Sequence, residues 1–264
     1  MKQSFLFAVL FAALTIISSC KPEDHDALTG KGPVTIELDH RAGAAPFAFG
    51  TNFVTAAGDT VNFSTFKYYV SNFVLVKDDG SEYVVPQSST YHLVDAAVAA
   101  SSSITLADIP AGNYTGIKYI IGVDSLRSTT DVSQRTGDLD PAGAGADMYW
   151  SWNSGYIFYK IEGTSPQSTE VGNVFMYHIG GFGGYSSPMA NNIRNVSLTS
   201  AEALEVGEGH SPEAHIYSDV LQAFTSPSNY SISSGAVIHM PAMGTTIANN
   251  YADMFTLDHV HNEH

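Results

Sequence analysis

Phe66-Lys67-Tyr68-Tyr69-Val70-Ser71-Asn72-Phe73-Val74-Leu75-Val76 is the stretch that decides the fold. It is dense in β-branched and aromatic residues, which suit a pleated, half-buried surface better than a helix. It runs into Asp78-Asp79-Gly80 and then Tyr83-Val84-Val85. Strand, glycine-containing turn and second apolar run are the signature of a β-hairpin. Upstream, Val34-Thr35-Ile36-Glu37-Leu38 alternates with period two. Downstream, short strands are expected over 91–94, 104–106, 114–123, 156–162, 174–178, 193–198, 203–206, 214–217 and 237–240. Residues 124–147 are polar and read as a long ordered loop. Residues 218–224 read as one or two helical turns, and 245–255 as a short closing helix. Sustained helical periodicity is scarce. The chain is therefore expected to be all-β, a single antiparallel β-sandwich-like domain over 34–264 with long loops and little helix.

The N-terminus, MKQSFLFAVLFAALTIISSC, has one early lysine, an apolar core from Phe5 to Ile17, and small residues before Cys20. That core is too short for a membrane span, which takes roughly 20 apolar residues. Cys20 is the single cysteine of the chain and stands where a lipoprotein signal would be cut. The expectation is a lipoprotein signal peptide over 1–19, with Cys20 lipidated and a polar tether over 20–33. The product would be exported and lipid-anchored at the cell envelope, on the periplasmic side or at the outer membrane. More than one acyl chain makes such an anchor stable. No thiol remains for a disulfide or a thiolate metal site.

The formal net charge is -15, with Asp+Glu 26 against Lys+Arg 11. Nucleic-acid binding needs a basic footprint and is excluded on this ground. An acidic surface keeps a protein soluble and draws cations.

Histidine is the outlier of the composition: ten, against 11 Lys+Arg. No HExxH spacing is present, so a metal site has to be assembled from distant strands. Neutral imidazole suits copper and zinc. His40 ends the first strand. His178 ends Phe175-Met176-Tyr177-His178 and precedes glycines at 180, 181, 183 and 184. His239 is followed by Met240 and Met243, whose thioethers are soft donors suited to Cu(I). His259-Val260-His261 puts two imidazoles on one side of an extended chain. These five are the candidate ligands.

Both tryptophans, Trp150 and Trp152, lie in Met148-Tyr149-Trp150-Ser151-Trp152-Asn153-Ser154-Gly155-Tyr156. The plain reading is packed aromatics; a sugar platform or an oxidisable relay are the alternatives. Asp124, Asp131, Asp138, Asp140 and Asp147 could offer calcium oxygen ligands within 124–147. No Walker motif, dinucleotide fingerprint or GxSxG elbow is present.

Taken in order, FKYYVSNF at 66–73, YHLVD at 91–95, PAGNY at 110–114, IGVD at 121–124, MYWSWNSGYIFYKIEG within 139–162, FMYHIGG at 175–181 and the terminal IANNYADMFTLDHVH resemble the MbnP-like copper-binding domain, in the lipoprotein form common in Bacteroidetes. The resemblance implies a β-rich fold, histidine-bound copper as Cu(I) or Cu(II), and a partner resembling the di-haem bacterial cytochrome c peroxidases. In characterised members that partner oxidises a tryptophan to kynurenine, which joins the histidines at copper. Trp150 and Trp152 are then the tryptophan candidates. His40 and His178 are the first ligand candidates, with His92, His239, His259 and His261 in or around the site. The implied role is binding, not catalysis. Two other readings compete: a metal-free structural or adhesive surface domain, and a carbohydrate-active enzyme with two carboxylates in a cleft.

Overall fold

A computed structural model describes residues 27–151, 155–184 and 186–262. The expected signal peptide, Cys20 and Trp152 lie outside the described residues.

The strands are β1 (Lys31–Ala42), β2 (Ala45–Pro46), β3 (Asn52–Val54), β4 (Thr60–Lys77), β5 (Glu82–Val84), β6 (His92–Asp95), β7 (Ser103–Pro110) and β8 (Gly112–Ile121). They continue as β9 (Tyr149–Trp150), β10 (Gly155–Thr164), β11 (Val174–Gly180), β12 (Arg194–Val206), β13 (Glu213–Asp219), β14 (Val237–Ile238) and β15 (Phe255–His261). Two short α-helices, α1 (Ser125–Ser128) and α2 (Thr245–Tyr251), and several single 3-10 turns complete the chain. The all-β expectation holds. One 3-10 turn covers Val220–Phe224, where a helical turn was expected. The first strand begins at Lys31, three residues inside the stretch read as tether.

The strands form a five-stranded sheet, ordered β15-β13-β1-β2 with β7 also on β1, and a ten-stranded sheet built around β4. Pairing is mostly antiparallel, with β1–β13 and β11–β14 parallel. The decisive hairpin is present: Val74, Leu75 and Val76 of β4 face Val84, Tyr83 and Glu82 of β5. Its turn uses Gly80 at φ 82, a conformation that glycine adopts without steric cost. β4 is longer than the sequence suggests. It bends at Asn72, which sits at φ 57 where the register with β8 shifts. The bend lets one strand serve β3, β5, β6, β8 and β10.

Alternation decides which side chains enter the space between the sheets. In β1, Val34, Ile36 and Leu38 are buried while Thr35, Glu37 and Asp39 point away. In β4, Phe66 and Tyr68 join the same core, with Tyr159, Ile161, Phe175 and Tyr177 from β10 and β11. Lys67, Lys160 and His178 are direct cross-strand partners and share the opposite, outer face of the large sheet. A second apolar cluster covers part of that outer face, formed by Tyr69, Val123, Leu139, Met148, Tyr156, Phe158 and Phe182, with Trp150 packed against it.

The excursion over 124–151 is thus a cover, not a free loop. Tyr69 and Tyr156 donate to the carbonyls of Asp138 and Leu139, at 2.7 and 2.6 Å. Arg135 is buried, donates to the carbonyls of Ser128 and Thr130, and stands over the Tyr149 and Tyr156 rings. Among the described residues no helix is long and apolar enough to cross a membrane.

Candidate functional site

The five candidate ligands fall in three places, not one. His40 follows the parity of Leu38 and turns into the space between the sheets. Its ring meets Phe66 edge-on at 5.1 Å and Tyr68 at 5.9 Å. Its Nε2 lies 3.3 Å from the Tyr68 hydroxyl, which donates to Ser218 at 3.1 Å. Burial pushes the His40 pKa down to about 4, against the opposing pull of Asp39 and Asp95. The imidazole is a neutral core group. Phe66 and Tyr68 occupy the inner face of β4, and His178 the outer face of the sheet. His40 and His178 therefore stand on opposite sides of that sheet, and the structure does not bring them together.

His178 and His239 do converge. The parallel β11–β14 pairing sets Met176 beside Val237 and Tyr177 beside Ile238, so His178 and His239 follow as neighbours. Their ring centroids are 5.0 Å apart. His178 Nε2 lies 2.7 Å from Glu162 Oε1. Glu162 also accepts from Thr65 at 2.8 Å and lies 3.8 Å from the Lys160 ammonium. Burial raises the Glu162 pKa, but the bonds from His178 and Thr65 and the Lys160 charge outweigh it and hold the carboxyl below its usual range. Burial lowers the His178 pKa, only partly offset by Glu162. A neutral ring donating Nε2–H to a carboxylate keeps Nδ1 as a free lone pair, the arrangement that orients metal-binding histidines.

Trp150 stands on the same face. Gly180, two residues after His178, is so close to its neighbours that an added Cβ would lie 3.2 Å from Trp150 Cζ3 and 2.3 Å from the Tyr156 carbonyl. Residues i and i+2 of a strand share a face at a spacing of roughly 6–7 Å. The indole therefore lies one pleat beyond His178. Met240 and Met243, in the turn after β14, are exposed.

The third place is the outer face of the small sheet, at its β15 edge. His215 of β13 lies opposite His259 of β15, and Glu213 opposite His261. The His215 and His259 rings stack at 4.4 Å and 5°. His261 stands 5.2 Å from His215 and 4.8 Å from His259. One nitrogen from each of the three lies within 4.8 Å of the others. Sequence reasoning found the His259–His261 pair but missed His215, which reaches them only through strand pairing across more than forty residues.

The remaining candidates are placed elsewhere. His92 is half-buried against Phe73, apart from both groups. The loop carboxylates do not converge on calcium. Asp124 caps α1 and accepts from Tyr91, Asp131 caps the turn at Ser133, and Asp138 accepts from the Leu93 amide. Asp140 accepts from the Ala142 amide, while Asp147 joins Lys67 at 3.1 Å and Lys160 at 3.3 Å. Each holds its own turn or cation, so the calcium expectation is not supported. A cavity of about 290 Å³ between the strand ends is lined by Asn52, Thr60, Asn62, Ser165 and Asn173 among others, with no carboxylate pair of the kind a glycosidase needs.

The fold resembles that of "MbnP from Methylosinus trichosporium": 17% sequence identity, a TM-score of 0.55, 88% of this chain and 99% of that chain covered. No curated protein matches the chain. The sequence profile of the family described as MbnP matches residues 31–240. That span holds β1 to β14, the 124–151 cover, His178, His239 and Trp150, and by it the chain belongs to the MbnP family.

Proposed function

We propose that this chain is an exported copper-binding protein in which His178 and His239 hold the copper beside Trp150. The observation that carries the reading is the convergence of these three residues on one outer sheet face, within the residues that match the family. The donor set suits the ion: two imidazoles, one oriented by Glu162, with exposed thioethers on the adjoining turn. Copper is cargo here, and the chain's part is to present lone pairs on a rigid strand pair. Family resemblance supports the further reading that a di-haem partner oxidises Trp150 or Trp152 to kynurenine, adding a donor at the same place. It also supports export, with Cys20 as the lipid anchor at the outer membrane. The domain acts as a binding protein, not as an enzyme.

Copper titration of the full chain with competing chelators, under Cu(I) and Cu(II) conditions, tests the reading. Near-stoichiometric uptake is expected, with affinity at this site at least about a hundredfold lower in His178→Ala. Absence of tight copper binding in both oxidation states refutes it. Coexpression with the native partner should yield a peptide over 149–155 about 4 Da heavier, one carbon lost and one oxygen gained.

A further inference from the structure

We propose that His215, His259 and His261 form a second metal site, separate from the copper site, that takes a borderline divalent cation of the Zn2+ or Cu2+ class. Among the described residues they are the one group of three or more His, Cys, Asp or Glu side chains close enough to share an ion. His259 and His261 lie beyond residue 240, where the family match ends. The site joins one histidine inside the matched span, His215, to two on the C-terminal strand. It also lies on the far side of the sandwich from His178, since one group occupies the outer face of the small sheet and the other the outer face of the large one. One ion cannot serve both.

A β-bulge builds the site. Opposite the consecutive residues His215 and Ile216, β15 places His259 and Leu257, so Asp258 is an extra residue. Bulges re-aim side chains in this way, often beside functional sites. Phe255 and Val260 stay buried, while Asp258, His259 and His261 all turn outward. Asp258 Oδ2 then lies 2.7 Å from His259 Nδ1. That contact fixes Nδ1–H and leaves Nε2 to bind, the carboxylate–histidine–metal arrangement. Tyr217 in turn hydrogen-bonds Asp258 and helps hold that carboxylate in place.

The surroundings favour a cation. Glu213 lies 3.7 Å from His215 Nε2 and opposite His261, and Glu37 is paired with His215 across β1. Glu213 is a ready fourth ligand. Three imidazoles plus a carboxylate or water suit zinc and Cu2+ better than Cu(I) or calcium. Four-coordinate zinc holds its nitrogens roughly 3.3 Å apart, given bonds of about 2 Å. The present 4.8 Å spacing closes by turning one ring out of the His215–His259 stack. His259 and His261 are exposed and His215 half-exposed, so the rotation takes place at the surface.

Equilibrium dialysis of the full chain against Zn2+ tests the site, with His178→Ala/His239→Ala and His259→Ala/His261→Ala compared. The wild type and the first variant should both retain a zinc equivalent that the second loses, its affinity falling at least about a hundredfold. A change smaller than about threefold in His259→Ala/His261→Ala overturns the proposal. A measurement on the wild type alone removes any dependence on variant folding. Saturating Zn2+ should slow diethylpyrocarbonate labelling of His215, His259 and His261 at least about tenfold. Equal labelling with and without zinc also overturns it. Failure of the copper reading appears separately, as a His178→Ala/His239→Ala variant that binds Cu(I) like the wild type.

Discussion

The two histidine groups sit on opposite outer faces of one sandwich, yet they are held by different physics. His178 is locked into a half-buried chain of charges running Asp95, Lys67, Asp147, Lys160, Glu162. Its side chain is 15% exposed, with Nε2 held by Glu162 at 2.7 Å. The C-terminal trio stands on the edge strand β15 and its neighbour β13, with His259 46% exposed, held by Asp258 and stacked on His215. A buried ligand is preorganised, but its loss leaves polar partners stranded. An exposed one is placed at little cost to stability and must be ordered when the ion arrives.

Acid should reveal the buried extreme most strongly. His40 is neutral in the fold, with a pKa near 4 against 6.5 unfolded. The unfolded chain therefore binds the extra proton first as the pH falls. Stability is full above about pH 6.5 and declines until about pH 4, by up to about 3 kcal/mol for this group. His178 acts in the same direction. Urea unfolding of the metal-free protein at pH 7, 5.5 and 4 should show the decline, and His40→Gln should flatten it. An unchanged slope in His40→Gln would mean that His40 is not sealed as described.

Next in size is the contrast between like substitutions in the two groups. His178→Ala strands Glu162 and Lys160 beside a void and should cost about 2 kcal/mol without metal. His261→Ala should stay within about 0.5 kcal/mol. Thermal unfolding in a chelating buffer measures both. Equal losses would erase the distinction drawn here. The smallest effect concerns Asp258→Asn. Zinc affinity at the trio should fall about tenfold, with the unfolding midpoint in chelator unchanged. A shifted midpoint without an affinity change would make Asp258 a structural residue alone.

Much of this was legible in residue order. Period-two alternation and the Asp-Asp-Gly turn marked the strands, and the same alternation carries His40 inward behind Leu38. The HVH spacing marked one half of the trio. The other half was hidden because His215 meets it through β13–β15 pairing, and local pattern does not say which strands pair. Its trace is the outward series Glu213, His215, Tyr217 on a strand whose Ala214 and Ile216 face in. The separation of His40 from His178 was equally hidden, since it depends on which face of β4 each one contacts. Residues 124–147 were read as an ordered loop, but what orders them was hidden, because the Tyr69 hydroxyl and the Lys67 ammonium reach Asp138 and Asp147 from far away in sequence.

The extra residue in β15 works as a phase switch. Before it, odd-numbered positions 255 and 257 face the core; after it, even-numbered 260 does. One strand can thus fill the interior at both ends while sending Asp258, His259 and His261 outward. Substituting Asp258 leaves that phase intact, whereas deleting it would remove the bulge and let plain alternation carry Phe255, Leu257 and Val260 inward with His259 and His261 outward, without the carboxylate that holds His259. What the extra residue adds is therefore a carboxylate turned to the same side as the imidazole beside it, which plain alternation would send to the opposite side.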